Sequence, residues 1–235
     1  KGIINEHKSV RNASGIFDVS HMGQILIPKN KSNINNLEKY IPLDVEDLHL
    51  DKSYYSFLLN DKAGIIDDLI FSYISFDNNL YFYIVYNASR KKIDENIFLN
   101  CTSNSTILIN NCLFAIQGPQ SHKILSTVLQ IPSNMKFLDI RSLEFNNQKI
   151  LLSRTGYTGE DGFEISIPFE ISEDFLNKLV NNENTTLCGL GARDSLRVEA
   201  GLSLYGHELN EQITPFDAGL SWAVEKSRFQ DKKLN

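Results

Sequence analysis

The sequence predicts an α+β fold made mostly of antiparallel sheets, and three observations carry that expectation. Strand-like and helix-like stretches alternate in blocks: strands, a helix, more strands, another helix. No glycine fingerprint opens a helix after a strand, so a nucleotide-binding parallel unit is not expected. The stretch S-R-T-G-Y-T-G-E-D-G-F-E-I, Ser153 to Ile165, reads as a hairpin. A strand from Lys149 to Thr155 leads into a loop holding Gly156, Gly159 and Gly162, and a return strand starts at Phe163. The three glycines permit positive φ and close backbone approach, which suits a loop held against a ligand.

The elements follow in order. Lys1 to Arg11 reads as the tail of a helix broken at Gly15, and F-D-V-S-H-M-G-Q-I-L-I-P begins one strand despite Gly23. His21 is read as a hydrogen-bonded strand histidine in preference to a base or ligand, because no second His, Cys or acidic cluster supports a metal. Asn36 to Ile41 is a short helix ended by Pro42, and Lys52 to Asn60 a strand closed by an Asp-Lys-Ala-Gly turn. The asparagine clusters Asn33 to Asn36 and Asn181 to Asn184 read as loops. In I-I-D-D-L-I-F-S-Y-I, Ile65 to Ile74, a carboxylate pair sits inside an apolar β-like run. On a strand Asp67 and Asp68 point to opposite faces, and an inward one must be paired, hydrogen-bonded or used. A turn capped by the pair is the alternative.

Leu80 to Tyr86 is an aromatic strand, Ser89 to Leu99 a polar helix, and Ser105 to Ile109 and Leu113 to Ile116 strands of one further sheet segment. A helix starts at Pro119 within Gln117 to Leu129. Another spans Ser172 to Leu179, with Ser172 as N-cap. From Ala192 to about Leu204 the spacing is helical, and Arg193, Asp194, Arg197 and Glu199 read either as a surface salt-bridge lattice or as a setting for Arg193 to face an anionic or carbonyl-bearing ligand. Trp222 lies in a last strand, G-L-S-W-A-V.

The bulk properties narrow the function. A chain of 235 residues, 42% hydrophobic and 22% charged, suffices for one large domain or two small ones. A net charge of −6 gives no general attraction to nucleic acid or to an anionic membrane, and no apolar run reaches spanning length. Cys101, Cys112 and Cys188 are widely spaced without C-x-x-C, so neither a zinc site nor a disulfide framework is expected, and a reducing compartment fits. The chain opens on Lys1 without a targeting sequence and is expected to be a processed or excised piece.

Six stretches taken together carry a resemblance: F-D-V-S-H-M-G, G-I-I-D-D-L-I, A-I-Q-G-P, S-R-T-G-Y-T-G-E-D-G-F-E, G-L-G-A-R-D-S-L-R-V-E-A-G-L-S-L-Y-G and T-P-F-D-A-G-L-S-W. In this order and spacing they resemble the aminomethyltransferase, or T-protein, family of the glycine cleavage system. The resemblance implies a folate-binding fold with two interleaved α/β subdomains, an inserted one over roughly 31–115, meeting at the folate. It also implies that the chain, residues 1–235, lacks the family's N-terminal segment and C-terminal β-barrel.

The implied reaction moves the one-carbon unit of an aminomethyl group, carried on the dihydrolipoyl arm of the H-protein, to tetrahydrofolate. The products are 5,10-methylenetetrahydrofolate and ammonia. Tetrahydrofolate is then a co-substrate, the lipoylated H-protein the partner, and no metal, nucleic acid or membrane is involved. The implied compartment is the mitochondrial matrix in a eukaryote and the cytoplasm in a bacterium. By position, Asp68 matches the catalytic aspartate, with Asp67 facing elsewhere. Glu164 matches the carboxylate that accepts from the pterin, and Tyr157 a ring in the same pocket. Met22 and Leu26 match apolar folate-lining positions, while Tyr55, Asn87 and Arg193 match folate-contacting ones, with Trp222 nearby. Ser72 stands where a tyrosine is frequent, and Asp231 where glycine is usual.

Two other functions share the fold. Folate-binding proteins of iron–sulfur cluster assembly carry a K-G-C-Y-x-G-Q-E-like motif, but Gly201 to Leu209 has no cysteine. The folate domain of a dimethylglycine- or sarcosine-oxidising enzyme is the second, marked by a flavin domain upstream.

Overall fold

A computed structural model describes residues 1–230; Asp231 lies outside the described residues. The described residues divide into two compact units, residues 1–21 with 110–202, and residues 22–109 with 203–230. The fold is α+β, and its sheets are antiparallel apart from one pairing.

The first unit holds α1 (Ile3–Asn12), β1 (Ser14–Asp18), β7 (Asn111–Gln117), α4 (Ser121–Leu125), β8 (Ile140–Phe145), β9 (Gln148–Ser153), β10 (Gly162–Pro168), α5 (Phe169–Val180), β11 (Thr185–Cys188) and α6 (Leu190–Glu199). Its six-stranded sheet runs β11-β1-β7-β10-β9-β8, with β11 and β1 parallel. Ile116 stands opposite Phe163 and Phe114 opposite Ile165, and these side chains enter the core with Phe175 and Leu179 of α5.

The second unit holds β2 (Gly23–Pro28), α2 (Lys31–Leu37), β3 (Lys52–Leu59), β4 (Ile65–Phe76), β5 (Asn79–Tyr86), α3 (Lys91–Cys101) and β6 (Thr106–Ile107). Its five strands run β3-β4-β5-β2-β6, all antiparallel. One face, with Ile25, Ile27, Leu69, Phe71 and Ile84, is buried with Leu37 and Phe98 of the helices. Alternation leaves Leu26, Tyr55, Asp68 and Tyr83 together on the other face.

Several local expectations are corrected. The strand expected from Phe17 to Pro28 is two, in different sheets, and His21 is exposed in the turn between them. The helix expected at Asn36 to Ile41 is α2, because Asn30 caps it by accepting from Asn33 N at 2.9 Å. Asn33 is therefore buried helix rather than loop, bonded to Pro28 O (2.8 Å) and Ser103 N (2.9 Å). The strands expected around Ser105 and Leu113 belong to different sheets. Helix α4 stops at Leu125, where the hydroxyls of Ser126 and Thr127 turn back onto His122 O and Ile124 O. Helix α5 begins directly after Pro168, so Ser172 lies inside it and donates to Phe169 O at 2.8 Å instead of capping. Helix α6 ends at Glu199, and Gly201 beyond it takes φ 71°. Trp222 sits in a 3₁₀ turn, Ser221–Ala223, and not in a strand.

Candidate functional site

The candidate residues divide between the units. In the first, β10 places Glu164 opposite Ser153 and Ala115, and Glu164 Oε2 accepts from the Thr155 hydroxyl at 2.6 Å. Tyr157 lies in the loop between β9 and β10. Arg193, in the first turn of α6, brings its guanidinium 4.9 Å from the Tyr157 ring centroid. Arg193 Nη1 is buried without a hydrogen-bond partner among the described residues. Burial draws this guanidinium below its usual pKa, against the charges of Glu164 and Tyr157, which favour the cation. On α6 the buried Arg197 holds Asp194 at 3.0 Å and Leu202 O at 3.1 Å, while Glu199 pairs with Arg11 of α1.

The Tyr157 loop is held from two sides by residues the sequence did not single out. Gln117, fully buried at the end of β7, donates to Thr155 O (3.0 Å) and accepts from Thr158 Oγ1 (3.0 Å). A Cβ on Gly156 would lie 1.9 Å from Gln117 Oε1, and one on Gly162 would lie 2.4 Å from Nε2. Those glycines serve close approach, and only Gly159 has positive φ, at 80°. From α1, Arg11 donates to Thr158 O (2.6 Å), Glu160 (3.1 Å) and Glu199 of α6 (2.6 Å). The signal for Gln117 was a glutamine closing an apolar strand just before Gly118 and Pro119. Arg11 gave none.

In the second unit, Tyr55 and Asp68 share the sheet face opposite the main core, and the Tyr55 hydroxyl donates to Asp68 Oδ2 at 3.1 Å. The Tyr55 ring stacks on Trp222, with centroids 5.6 Å apart and planes at 25°, although Trp222 is 69% exposed. Leu26 is buried in β2, and half-buried Met22 lies in the bend before it. Asp67 points to the core face and is fully buried. Asn87, just past the end of β5, joins the two carboxylates: its Nδ2 donates to Asp67 Oδ1 at 2.9 Å and Asp68 Oδ1 at 2.8 Å, and its backbone N–H to Asp67 Oδ2 at 2.9 Å. Burial, then the charge of Asp67, pushes the Asp68 carboxyl up to about 7, against the hydrogen bonds from Tyr55 and Asn87. A carboxyl poised there can hold charge or move a proton near neutrality. Among the described residues, no group of three or more His, Cys, Asp or Glu is placed to hold a metal ion.

Comparison with known proteins places this arrangement in a family. The family model described as the GCVT N-terminal domain matches residues 1–228. An aminomethyltransferase of Staphylococcus carnosus is 39% identical over 230 residues, covering 95% of this chain and 62% of the relative. A mitochondrial aminomethyltransferase of Dictyostelium discoideum is 38% identical over 249 residues, covering 98% and 60%. The crystal structure of the glycine cleavage system aminomethyltransferase T from Bartonella henselae superposes with a TM-score of 0.88 at 35% identity, covering 99% of this chain and 63% of that one. This chain thus spans a little under two thirds of the length of such relatives. On the strength of the match over residues 1–228, the chain belongs to the family of the GCVT N-terminal domain.

Proposed function

We propose that the protein containing this chain transfers the one-carbon unit of an aminomethyl group, borne on the dihydrolipoyl arm of an H-protein, to tetrahydrofolate. The observation that carries this reading is the Asp68 carboxyl, held between Tyr55 and Asn87 in a chain of this family and poised near neutrality. In the net reaction the methylene carbon loses its bonds to nitrogen and sulfur and gains bonds to folate N5 and N10. The two folate protons end on the departing ammonia and the lipoyl thiol.

The residues of the first unit have the chemistry a folate requires. Glu164 is an acceptor with about four lone-pair sites, one of them used by Thr155, so it retains capacity for the adjacent amino and ring N–H groups of a pterin. Arg193 offers a buried N–H, unpaired among the described residues, to a carbonyl or anionic group, and Tyr157 supplies the adjoining ring. Met22, Leu26 and Trp222 supply apolar contact and Tyr55 and Asn87 steady Asp68, whose carboxylate stabilises positive charge developing on the transferred methylene. The compartment is the mitochondrial matrix in a eukaryotic source and the cytoplasm in a bacterial one. Ammonia release from aminomethyl-loaded H-protein, measured with the full-length protein with and without tetrahydrofolate, tests the reading. Folate-dependent release is expected, and none under saturating conditions would overturn it.

A further inference from the structure

A second buried acid stands behind Asp68, and its surroundings decide its charge. Asp94, on α3, is fully buried, and among the described residues neither of its carboxyl oxygens has a hydrogen-bond donor. An ionised carboxylate with no donor in such a place is a bare buried charge. Asp67, on β4, lies close enough for its charge to bear on Asp94. Asp67 is equally buried but accepts two hydrogen bonds from Asn87. Two ionised carboxylates are acceptors only and repel. The one with donors keeps the charge, and the one without them keeps the proton.

The charged groups around the pair do not alter that division. Arg90, just before α3, turns Nη2 onto Glu211 at 2.6 Å and lays its guanidinium 4.9 Å from the Tyr205 ring centroid. Among the described residues its Nε is buried without a partner, so it makes no hydrogen bond to Asp94. Glu95, next on α3, accepts from the Tyr86 hydroxyl of β5 at 3.1 Å and adds negative charge. Burial, then the charge of Asp67, pushes the Asp94 carboxyl up to about 9, with Arg90 opposing.

We infer that Asp94 is a positioning residue: its retained proton, donated to Asp67, fixes the Asn87 amide and through it the carboxylate of Asp68. The amide has two N–H groups, and its nitrogen reaches Asp67 and Asp68 at 2.9 and 2.8 Å. The setting of Asp67 therefore fixes the plane from which Asp68 is held. The consequence for turnover rests on the proposed transfer reaction; the protonation and the coupling to Asp68 do not.

The test uses full-length wild type, Asp94→Asn, which keeps a neutral donor, and Asp94→Ala, which removes it. At about pH 8, where Asp68 is largely ionised and Asp94 still holds its proton, the wild type should show the infrared carbonyl band of a protonated carboxylic acid, largely lost in Asp94→Asn. The folded carboxyl holds its proton to about pH 9, whereas the unfolded one releases it near ~4. Wild-type stability therefore falls relative to Asp94→Asn as pH rises through that window. An absent band with parallel stability curves would mean that Asp94 is ionised, and the inference is lost. Followed by carboxyl carbon NMR, the Asp68 titration should move upward in Asp94→Ala, as the Asn87 hydrogen bond weakens, and stay in place in Asp94→Asn. Turnover should fall roughly tenfold or more in Asp94→Ala with little change in KM for folate, and be largely restored in Asp94→Asn. An unmoved Asp68 titration in Asp94→Ala removes the positioning role. A shifted titration in a protein whose wild type shows no transfer would sink the proposed function and leave this inference standing.

Discussion

The carboxyl of Asp68 is raised by burial and by the charge of Asp67, and lowered by the hydrogen bonds of Tyr55 and Asn87. If its negative charge stabilises the transferring methylene, turnover should rise with pH through about 7, because only the deprotonated form acts. Asp68→Asn keeps the size and removes the charge. Rapid-quench measurement of methylenetetrahydrofolate should show a loss of roughly 10²-fold or more and no limb near neutrality. Folate affinity should change little in that variant. It should instead fall by roughly 1–3 kcal/mol in Glu164→Ala, read by titration, since buried pterin donors would lose their acceptor. Equal affinities would take Glu164 out of the pocket. The opposite facing of Asp67 and Asp68 was legible from strand alternation, and the ladder register places them so. That both meet one amide was not legible, because Asn87 lies 19 residues beyond Asp68 and joins them only through the β4–β5 pairing.

At the scale of elements, the loop carrying Tyr157 depends on groups that lie far from it in sequence. Gln117 satisfies a buried carbonyl and a buried hydroxyl of that loop from the end of β7. Replacing it by leucine leaves Thr155 O and Thr158 Oγ1 without this partner, at about 1–3 kcal/mol for each unsatisfied group. Gln117→Leu should lower the urea midpoint, and amide exchange should quicken most over residues 155–162. Uniform loss of protection, with no excess in the loop, would count against this role. Arg11→Met should cost under about 1 kcal/mol, since its carboxylate partners are partly exposed, while still loosening the same loop. Strands β3 to β5 were legible because aromatic and β-branched residues alternate there between clear turns. Strands β8 and β11 were missed: β8 is only half buried, and β11 is four residues long. The starts of α2 and α5 were misplaced because Asn30 and Pro168, and not the later polar residues, fix them.

For the whole molecule, composition and periodicity yielded the α+β class but not the route of the chain. The path from β1 to β2 crosses from one sheet to another within four residues, and no periodicity marks that change; the resemblance implied an inserted subdomain only from about residue 31. The two units also differ in how they hold their carboxyls, which yields a last prediction. In the second unit, burial raises Asp67, pushes Asp68 up to about 7 and Asp94 up to about 9, while the exposed Glu46 and Asp217 are held down by Lys31 and Thr214. In the first unit the resolved carboxyl shifts run downward. Asp161 is held down by Arg154, Glu199 by Arg11, Asp174 by Lys178, and Glu6 by the Gly189 N–H. The buried acids of the second unit carry the opposite sign. A carboxyl raised by folding binds more protons folded than unfolded, so its unit loses stability as pH rises from about 4 through the folded value. A lowered one supports its unit above that range and fails it as pH falls. The lowered groups are largely solvent-exposed and contribute weakly, whereas each proton retained in the second unit steepens its slope by up to about 1.4 kcal/mol per pH unit. The single tryptophan, Trp222, stacks on Tyr55 within the second unit, so its fluorescence reports that unit. Its urea midpoint should fall steadily from pH 5 to 8 in wild type and fall less steeply in Asp68→Asn, where Asp94 still holds its proton. Amide exchange in β7 and β10, corrected for intrinsic rates, should show a much shallower dependence for the first unit. Equal slopes in the two units would mean that the buried acids of the second unit stay ionised on folding, and the charge assignment around Asp68 would fall with that.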